Sequence, residues 1–329
     1  MMSAAYRRWA APAILILGFL LLTLGPQVRP SLYSTSITIG IYSLIALPLG
    51  LIYGQGGTLS LAQGAFAAIG GYTTGILTTR FGLNPIASLV PSILIPAALA
   101  FIIARPILRL PELSLALVTL SLGTVIEIAL QRGGDWTGGY VGLSNIAPLP
   151  IIGNRPFIAH VAVWMLVLGV VVLYSRFRTT TRCRALNAVR VDRILAEGMG
   201  VNVALDLSVL FAIAAGVAGL AGWFYSHYIG FIAPDSLNVA LSANVLFMVV
   251  VGGRRAVLGP IIGAAFFVWA SDILPGTETQ GMFFGGILIL ILIFSPDGIS
   301  SWISSGRGWW RSGTRSSDAS VAPRVAENV

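Results

Sequence analysis

Lysine is missing from this chain: all twenty basic residues among its 329 are arginine. Without lysine no G-x-x-x-x-G-K-[ST] phosphate loop can exist, so the chain holds no nucleotidase site of that type. The exclusive use of arginine reads as a compositional bias rather than a mechanism. There is one cysteine, Cys183, so no intrachain disulfide can form. Two histidines, His160 and His227, stand far apart with no second ligand at metal spacing. No catalytic constellation, metal site or cofactor motif is visible, which argues against an enzyme. Charge is scarce as well. Only 10% of residues are charged and 56% are hydrophobic, with a mean hydropathy of +0.87, whereas soluble domains carry about 25% charge.

What is present is long apolar sequence. No charge occurs between Arg29 and Arg80, a gap that holds two bilayer crossings at about 20 residues each. The chain is an all-α polytopic membrane protein with about ten transmembrane helices. They are expected near 10–26, 33–53, 58–79, 85–104, 112–131, 157–175, 207–229, 238–253, 257–274 and 282–296. The basic start and apolar run of the N-terminus are like a signal peptide, but no clear small-x-small cleavage site follows. An uncleaved first helix is therefore expected.

Arginine placement tests this count. With both termini in the cytoplasm, sixteen arginines fall on inner segments, and only Arg29, Arg80, Arg132 and Arg155 fall outside. That asymmetry is the one expected of cytoplasmic loops. The formal charge of +8 is thereby explained by orientation in the bilayer, without a nucleic-acid partner. Residues 132–156 become an outer loop rich in glycine and proline, and 176–206 an inner loop with six arginines. Residues 1–296 form one transmembrane domain, and 297–329 a polar cytoplasmic tail expected to be disordered.

The sequence "GGTLSLAQGAFAAIGGYTTGIL", residues 56–77, is the least hydrophobic of the expected crossings, with six glycines in twenty-two residues. Removing it would place the six-arginine loop outside, so it has to return the chain across the membrane. Ser60, Gly64 and Ala68 are spaced by four, as are Ala67, Gly71 and Gly75. Such ladders let helix backbones approach closely in lipid, which marks an interior helix. Gln63, Thr73 and Thr74 add polar groups that lipid would not solvate. Ser60, Gln63, Gly64, Ala67, Gly71 and Thr74 are thus candidates for a solute path or for interior packing. Glu127, Asp206 and Asp272 sit near helix ends; a proton relay usually keeps a carboxylate at mid-membrane, so a neutral or zwitterionic solute fits better.

The inner loop contains "ALNAVRVDRILAEGMGVN". Ala185, Leu186, Val189, Ile194 and Leu195 form an apolar stripe, with Arg184, Arg190, Asp192 and Arg193 elsewhere, and Gly198 and Gly200 end the helix. Periodicity alone leaves two readings open: a basic amphipathic segment on anionic lipid, or a docking helix for a cytoplasmic partner.

Several segments together resemble the permease subunits of bacterial branched-chain amino-acid ABC importers. They are "LGLIYGQGGTLSLAQGAFAAIGGYTTGIL", "ELSLALVTLSLGTVIEIAL", "TGGYVGLSNIAP", "VLFMVVVGGRRAVLGPIIGAAF" and, most specifically, "RALNAVRVDRILAEGMGVNVALDLSVLFAIAAGVAGLAGWFYSHYIGFIAPDSL". The resemblance implies a permease fold of the vitamin B12 and ribose importer type in the inner membrane. The implied partners are a second homologous permease, two cytoplasmic ATP-binding subunits that hydrolyse ATP, and a periplasmic substrate-binding protein. Ala185 to Gly200 would be the coupling helix, including Leu186, Ile194 and Gly198, with Arg190, Asp192 and Glu197 as polar contacts. Gly252, Gly253, Gly259 and Pro260 match a turn between two later helices. The chain departs from the family at Arg254 and Arg255, and at "SPDGIS" with Asp297. The solute would be a branched-chain or other hydrophobic amino acid. Urea, a short-chain amide or another small neutral solute is the alternative, and an autonomous channel or secondary carrier is the alternative of a different class.

Overall fold

The computed structural model describes residues 31–294 and 298, apart from 109, 151–152, 154, 255 and 275–276. The expected first crossing at 10–26, both chain termini, Arg255, Asp297 and all of the tail except Gly298 lie outside the described residues.

Helices occupy the other nine expected windows. They are α1 (Ser31–Leu51), α2 (Gln63–Phe81), α3 (Leu89–Ile107), α4 (Glu112–Arg132) and α5 (Pro156–Phe177). After two short helices of the inner loop, α6 (Thr181–Val191) and α7 (Arg193–Gly198), come α8 (Val203–Ile229), α9 (Val239–Gly252), α10 (Gly259–Ile273) and α11 (Thr277–Phe294). Among the described residues six helical segments are long and apolar enough to cross a bilayer: Leu32–Gly56, Leu89–Ile107, Leu113–Arg132, Pro156–Phe177, Val203–Ile229 and Pro234–Gly252.

The helix ends follow from local chemistry. Pro156 opens α5, where a missing N–H costs nothing. Asn202 and Asn238 cap α8 and α9 by accepting from Leu205 N and Leu241 N. Gly82 and Gly230, both in the left-handed region, close α2 and α8.

Helix α8 is the hub. Glycines bring its backbone against two neighbours. A Cβ on Gly222 would fall 1.8 Å from the Ala67 carbonyl oxygen of α2, and one on Gly219 would fall 2.2 Å from Ser92 O of α3. The pairs Gly70–Gly219 and Thr74–His227 show α2 and α8 running parallel. Gly216 against Ala97, Gly219 against Ser92 and Trp223 against Ser88 show α3 running antiparallel to α8. Parallel α1 and α5 meet through Ser36–His160, Gly40–Val163 and Tyr174–Gly50. Every one of these directions agrees with the alternation read from the arginines. Large apolar side chains such as Val90, Leu94, Ile102, Leu117 and Val125 stay exposed on α3 and α4. In lipid such a surface needs no cover.

Two expected elements are corrected. The crossing at 58–79 is not one helix, because α1 runs on into a π-helical turn, Ile52–Gly56, and the chain then reverses at Gly57 (φ +66°). It stays non-helical until Gln63. Ser60 therefore stands outside the helix, and the Ser60–Gly64–Ala68 ladder loses its first member. The single helix expected over 185–200 is broken at Asp192, whose extended backbone ends α6 and whose side chain caps α7 by accepting from Leu195 N at 3.0 Å. An aspartate offers the backbone an N-cap more readily than a helix interior.

Candidate functional site

Two regions carry the features singled out in the sequence: the broken second crossing and the inner loop.

In the broken crossing, Leu61 N–H donates to Thr119 Oγ1 at 3.0 Å. A Cβ on Gly123 would lie 3.7 Å from Leu61 O. Leu61 is thus level with the middle of α4, and the non-helical chain lies at transmembrane depth. Non-helical backbone survives there only when enclosed by protein or beside water. Ser60 and Gln63 are enclosed, at 0% and 1% exposure. Yet Ser60 Oγ, both amide atoms of Gln63 and Thr58 Oγ1 make no hydrogen bond. Buried polar groups without partners are uncommon and each calls for an explanation. Gly64, the next residue, is fully engaged. Its N–H donates to Ser242 Oγ at 2.9 Å, and a Cβ would fall 2.5 Å from Asn238 O.

Further along α2 the threonine hydroxyls are satisfied, whereas Tyr72 OH is buried without a partner. Thr74 Oγ1 bonds His227 Nε2 at 2.8 Å and pairs with Ser88 Oγ. His227 Nδ1 lies 2.6 Å from Ala147 O; a carbonyl only accepts, so Nδ1 carries the proton and Nε2 of a neutral ring accepts from Thr74. Trp223 Nε1 donates to Ser88 Oγ at 3.1 Å and Pro85 O at 3.0 Å. Gly71 lies under Ile232 and Ser226, and Ala67 under Gly222. The outer loop is tied down by Leu143 N to Ile232 O at 2.8 Å and Ile232 N to Leu143 O at 3.0 Å. Beside it opens a hollow of about 440 Å³ lined by Ile146, Pro148, Arg155, Ala159 and His227. Glu127 Oε2 accepts from Val239 N at 3.3 Å at the start of α9.

In the inner loop the apolar stripe splits between two surfaces. Leu186 and Val189 are buried and Ala185 is half-buried. Val191 and Ile194 are 82% and 83% exposed, with Leu195 and Met199 also outward. Arg190 Nη1 donates to Gly54 O at 2.9 Å, and Arg193 Nη1 to Leu108 O at 2.7 Å. Glu197 pairs with Arg193 at 3.1 Å. Gly198 ends α7, and Gly200 follows in the left-handed region at φ +85°. The tip is therefore an exposed apolar patch with charges around it, held by arginines to the inner ends of α1 and α3. Arg254 Nη1 donates to Tyr53 OH at 2.7 Å. Among the described residues no three His, Cys, Asp or Glu side chains converge as metal ligands would.

Sequence reasoning missed the π-helical turn, the contacts of Gln55 and the histidine network. Only the glycines flanking Gln55 and the lone polar residues in apolar helices hinted at them.

The profile described as branched-chain amino acid transport system / permease component matches residues 31–292. The chain belongs to this family. Among relatives of this permease is the high-affinity branched-chain amino acid transport system permease protein LivM of Salmonella typhimurium, 29% identical over 286 residues, which covers 79% of this chain and 67% of LivM. LivH of Escherichia coli, named for the same transport system, is 26% identical over 294 residues, 80% of this chain and 92% of that one. The fructose import permease protein FrcC of Rhizobium meliloti is 26% identical over 260 residues, 74% of this chain and 71% of that one. No solved structure matches. As a member of a transport permease family with several apolar spanning helices, the chain is a multi-pass membrane protein of the transport class.

Proposed function

We propose that this permease is a membrane-spanning subunit of an ATP-binding cassette importer in the bacterial inner membrane. It has ten crossings, 10–26 being the first, a vitamin B12/ribose-importer type of fold, and both termini in the cytoplasm. It pairs with a second homologous permease, takes a branched-chain or other hydrophobic amino acid from a periplasmic binding protein, and draws on ATP hydrolysed by two cytoplasmic subunits. The observation that carries this reading is the exposed apolar tip of the inner loop, Val191, Ile194, Leu195 and Met199. It belongs to a chain that cannot hold a lysine-based phosphate loop of its own. Apolar side chains of that size, rimmed by Arg190, Asp192 and Glu197, suit a protein partner better than open water.

Ala185 to Gly200 is then the coupling region, with Leu186 anchoring it and Ile194 reaching outward. The solute path runs past Ser60 and Gln63, whose unpartnered groups would find partners in water or in a passing zwitterion. Gly64, Ala67, Gly71 and Thr74 pack the wall behind them. ATP binding and hydrolysis elsewhere bias which side the path opens to, by stabilising one state over the other. A small neutral solute such as urea or a short-chain amide is the second reading, favoured by the lack of charge among Thr58, Ser60 and Gln63. The test is reconstitution of the assembled complex. Leucine uptake is expected only with both the binding protein and ATP. Uptake by the isolated chain under a proton gradient would overturn the proposal.

A further inference from the structure

Between the inner loop and the enclosed polar groups lies a junction built around the π-helical turn Ile52–Gly56. On its loop side, Asn187 Nδ2 and Cys183 Sγ both donate to Gln55 Oε1, at 3.1 and 3.3 Å. Arg190 bonds Gly54 O, and its stem covers the next turn: a Cβ on Gly57 would fall 2.4 Å from Arg190 Cγ. On the bundle side, Tyr174 OH donates to Gly50 O at 3.4 Å. The guanidinium of Arg254 lies 4.9 Å over the Tyr53 ring, and a Cβ on Gly54 would fall 2.2 Å from Arg254 O. Thr58, Ser60 and Gln63 follow directly in the chain.

The mechanical consequence comes from stiffness. At Gly54–Gly57 the contacts with α6 leave no slack, so a shift of α6 is passed to the main chain. Beyond Gly57 there is no helical hydrogen-bond ladder, and segments with few backbone bonds deform at lower cost than the helices flanking them. π-Helical turns within helices occur frequently at functional sites.

We infer that Gln55, Asn187 and Arg190 are positioning residues that join α6 to the broken crossing, so that movement of the inner loop rearranges Thr58 to Gln63. This rests on the importer reading, and it makes the junction one body that travels together.

Cys183 reports on the junction because it is the chain's only cysteine and is fully buried against Gln55. Burial also pushes its thiol pKa up, against the opposing effects of Arg178 and the Asn187 hydrogen bond. Its thiolate, the species that alkylates, is therefore scarce at neutral pH. The assembled importer is reconstituted with its binding protein, and N-ethylmaleimide modification of Cys183 is followed by mass spectrometry together with leucine transported per ATP hydrolysed. In the unaltered complex, modification is expected to be slow with and without ATP. Gln55→Met keeps the volume but removes the acceptor. It is expected to speed modification by roughly five- to tenfold, the scale of one lost hydrogen bond, and to lower leucine per ATP. Gln55→Glu restores the acceptor and should bring both readouts back towards normal. Asn187→Ala, on the cytoplasmic side, should act as Gln55→Met does. Modification that rises with ATP in the unaltered complex would overturn the inference, because the loop would then slip past the turn. So would Gln55→Met with unchanged leucine per ATP. Absence of ATP-dependent uptake in the unaltered complex is a different result, which overturns the importer reading itself.

Discussion

The two halves of the segment from Ile52 to Phe81 meet the bundle in opposite ways. Beyond Gln63, small residues press backbone on backbone against α8, and the hydroxyls of Thr74, Thr78 and Thr79 all find acceptors. From Thr58 to Gln63 the chain is non-helical up to the first residue of α2, and three polar side chains within these six residues have none. One half is built for close, specific packing, and the other tolerates unsatisfied groups that cost stability unless something else solvates them. Polar residues in an apolar chain thus carry two meanings: hydrogen-bond satisfaction sets the threonines of α2 apart from Thr58, Ser60 and Gln63, although Tyr72 OH in the packed half is unpartnered as well. Thr74 is structural by this measure, whereas Ser60 and Gln63 keep unpartnered groups, the feature on which the proposed solute path rests.

The largest effect is expected from filling the packed half. Gly222→Leu must push α2 from α8, since even its Cβ would fall 1.8 Å from Ala67 O. Overpacking of this kind costs about 1–3 kcal/mol or more, and the variant is expected to be lost from the membrane fraction. Gly169→Ala, where nothing lies within 4 Å of the added carbon, should accumulate normally. The same measurement of folded yield checks both. Next in size is the histidine network. His227→Leu strips Thr74 of one partner and frees the Ala147 carbonyl, and leaving such groups unpaired costs about 1–3 kcal/mol each. A thermal-stability assay in detergent should show a clear fall in midpoint, and an unchanged midpoint would place the network outside the fold's main supports.

Much of this was legible beforehand. Charge-poor windows located the helices of the described residues, because burying an arginine in lipid is costly and the gaps between arginines are therefore long. The ladder Ala67–Gly71–Gly75 runs along a tightly packed face, where a Cβ on Gly71 would meet Ile232 and α8 and one on Gly75 would meet the outer loop. The break at 57–62 was not legible. Gly57 and Thr58 read equally well as small residues of a helix, and only Thr119, about sixty positions on, shows where Leu61 N–H goes. The split of the inner-loop stripe was hidden for a related reason. Periodicity gives the face of a continuous helix, but Asp192 resets the phase, so Leu186 turns in while Ile194 turns out.

Removing the polar groups of the other half should have the opposite effect on stability. Ser60→Ala and Gln63→Leu remove groups that make no hydrogen bond, so the desolvation cost disappears and stability should hold or rise by about 1 kcal/mol. Transport should move the other way, with uptake falling severalfold in the reconstituted complex while the detergent melting midpoint is unchanged or higher. If both variants melt lower, Ser60 and Gln63 belong with Thr74 as packing residues and the proposed path lies elsewhere.

The smallest effect on the chain's own fold is expected at the loop tip. Ile194 is 83% exposed, and Ile194→Asp removes almost no buried area, so substitution there should stay within about 0.5 kcal/mol of the original stability. Asp192 and Glu197 stand close by in sequence, so the new carboxylate adds to local negative charge on a surface proposed to bind the ATP-binding subunits. Desolvating an unpaired charge in an interface is costly, and co-purification of those subunits with the chain should fall at least tenfold at equal membrane abundance. Ile194→Leu preserves the apolar contact and should retain them. Equal recovery of the partner with aspartate and with leucine would remove the tip from the interface. The anionic-lipid reading of the same helix predicts a different outcome, in which aspartate weakens binding of the loop to anionic vesicles but leaves partner recovery intact.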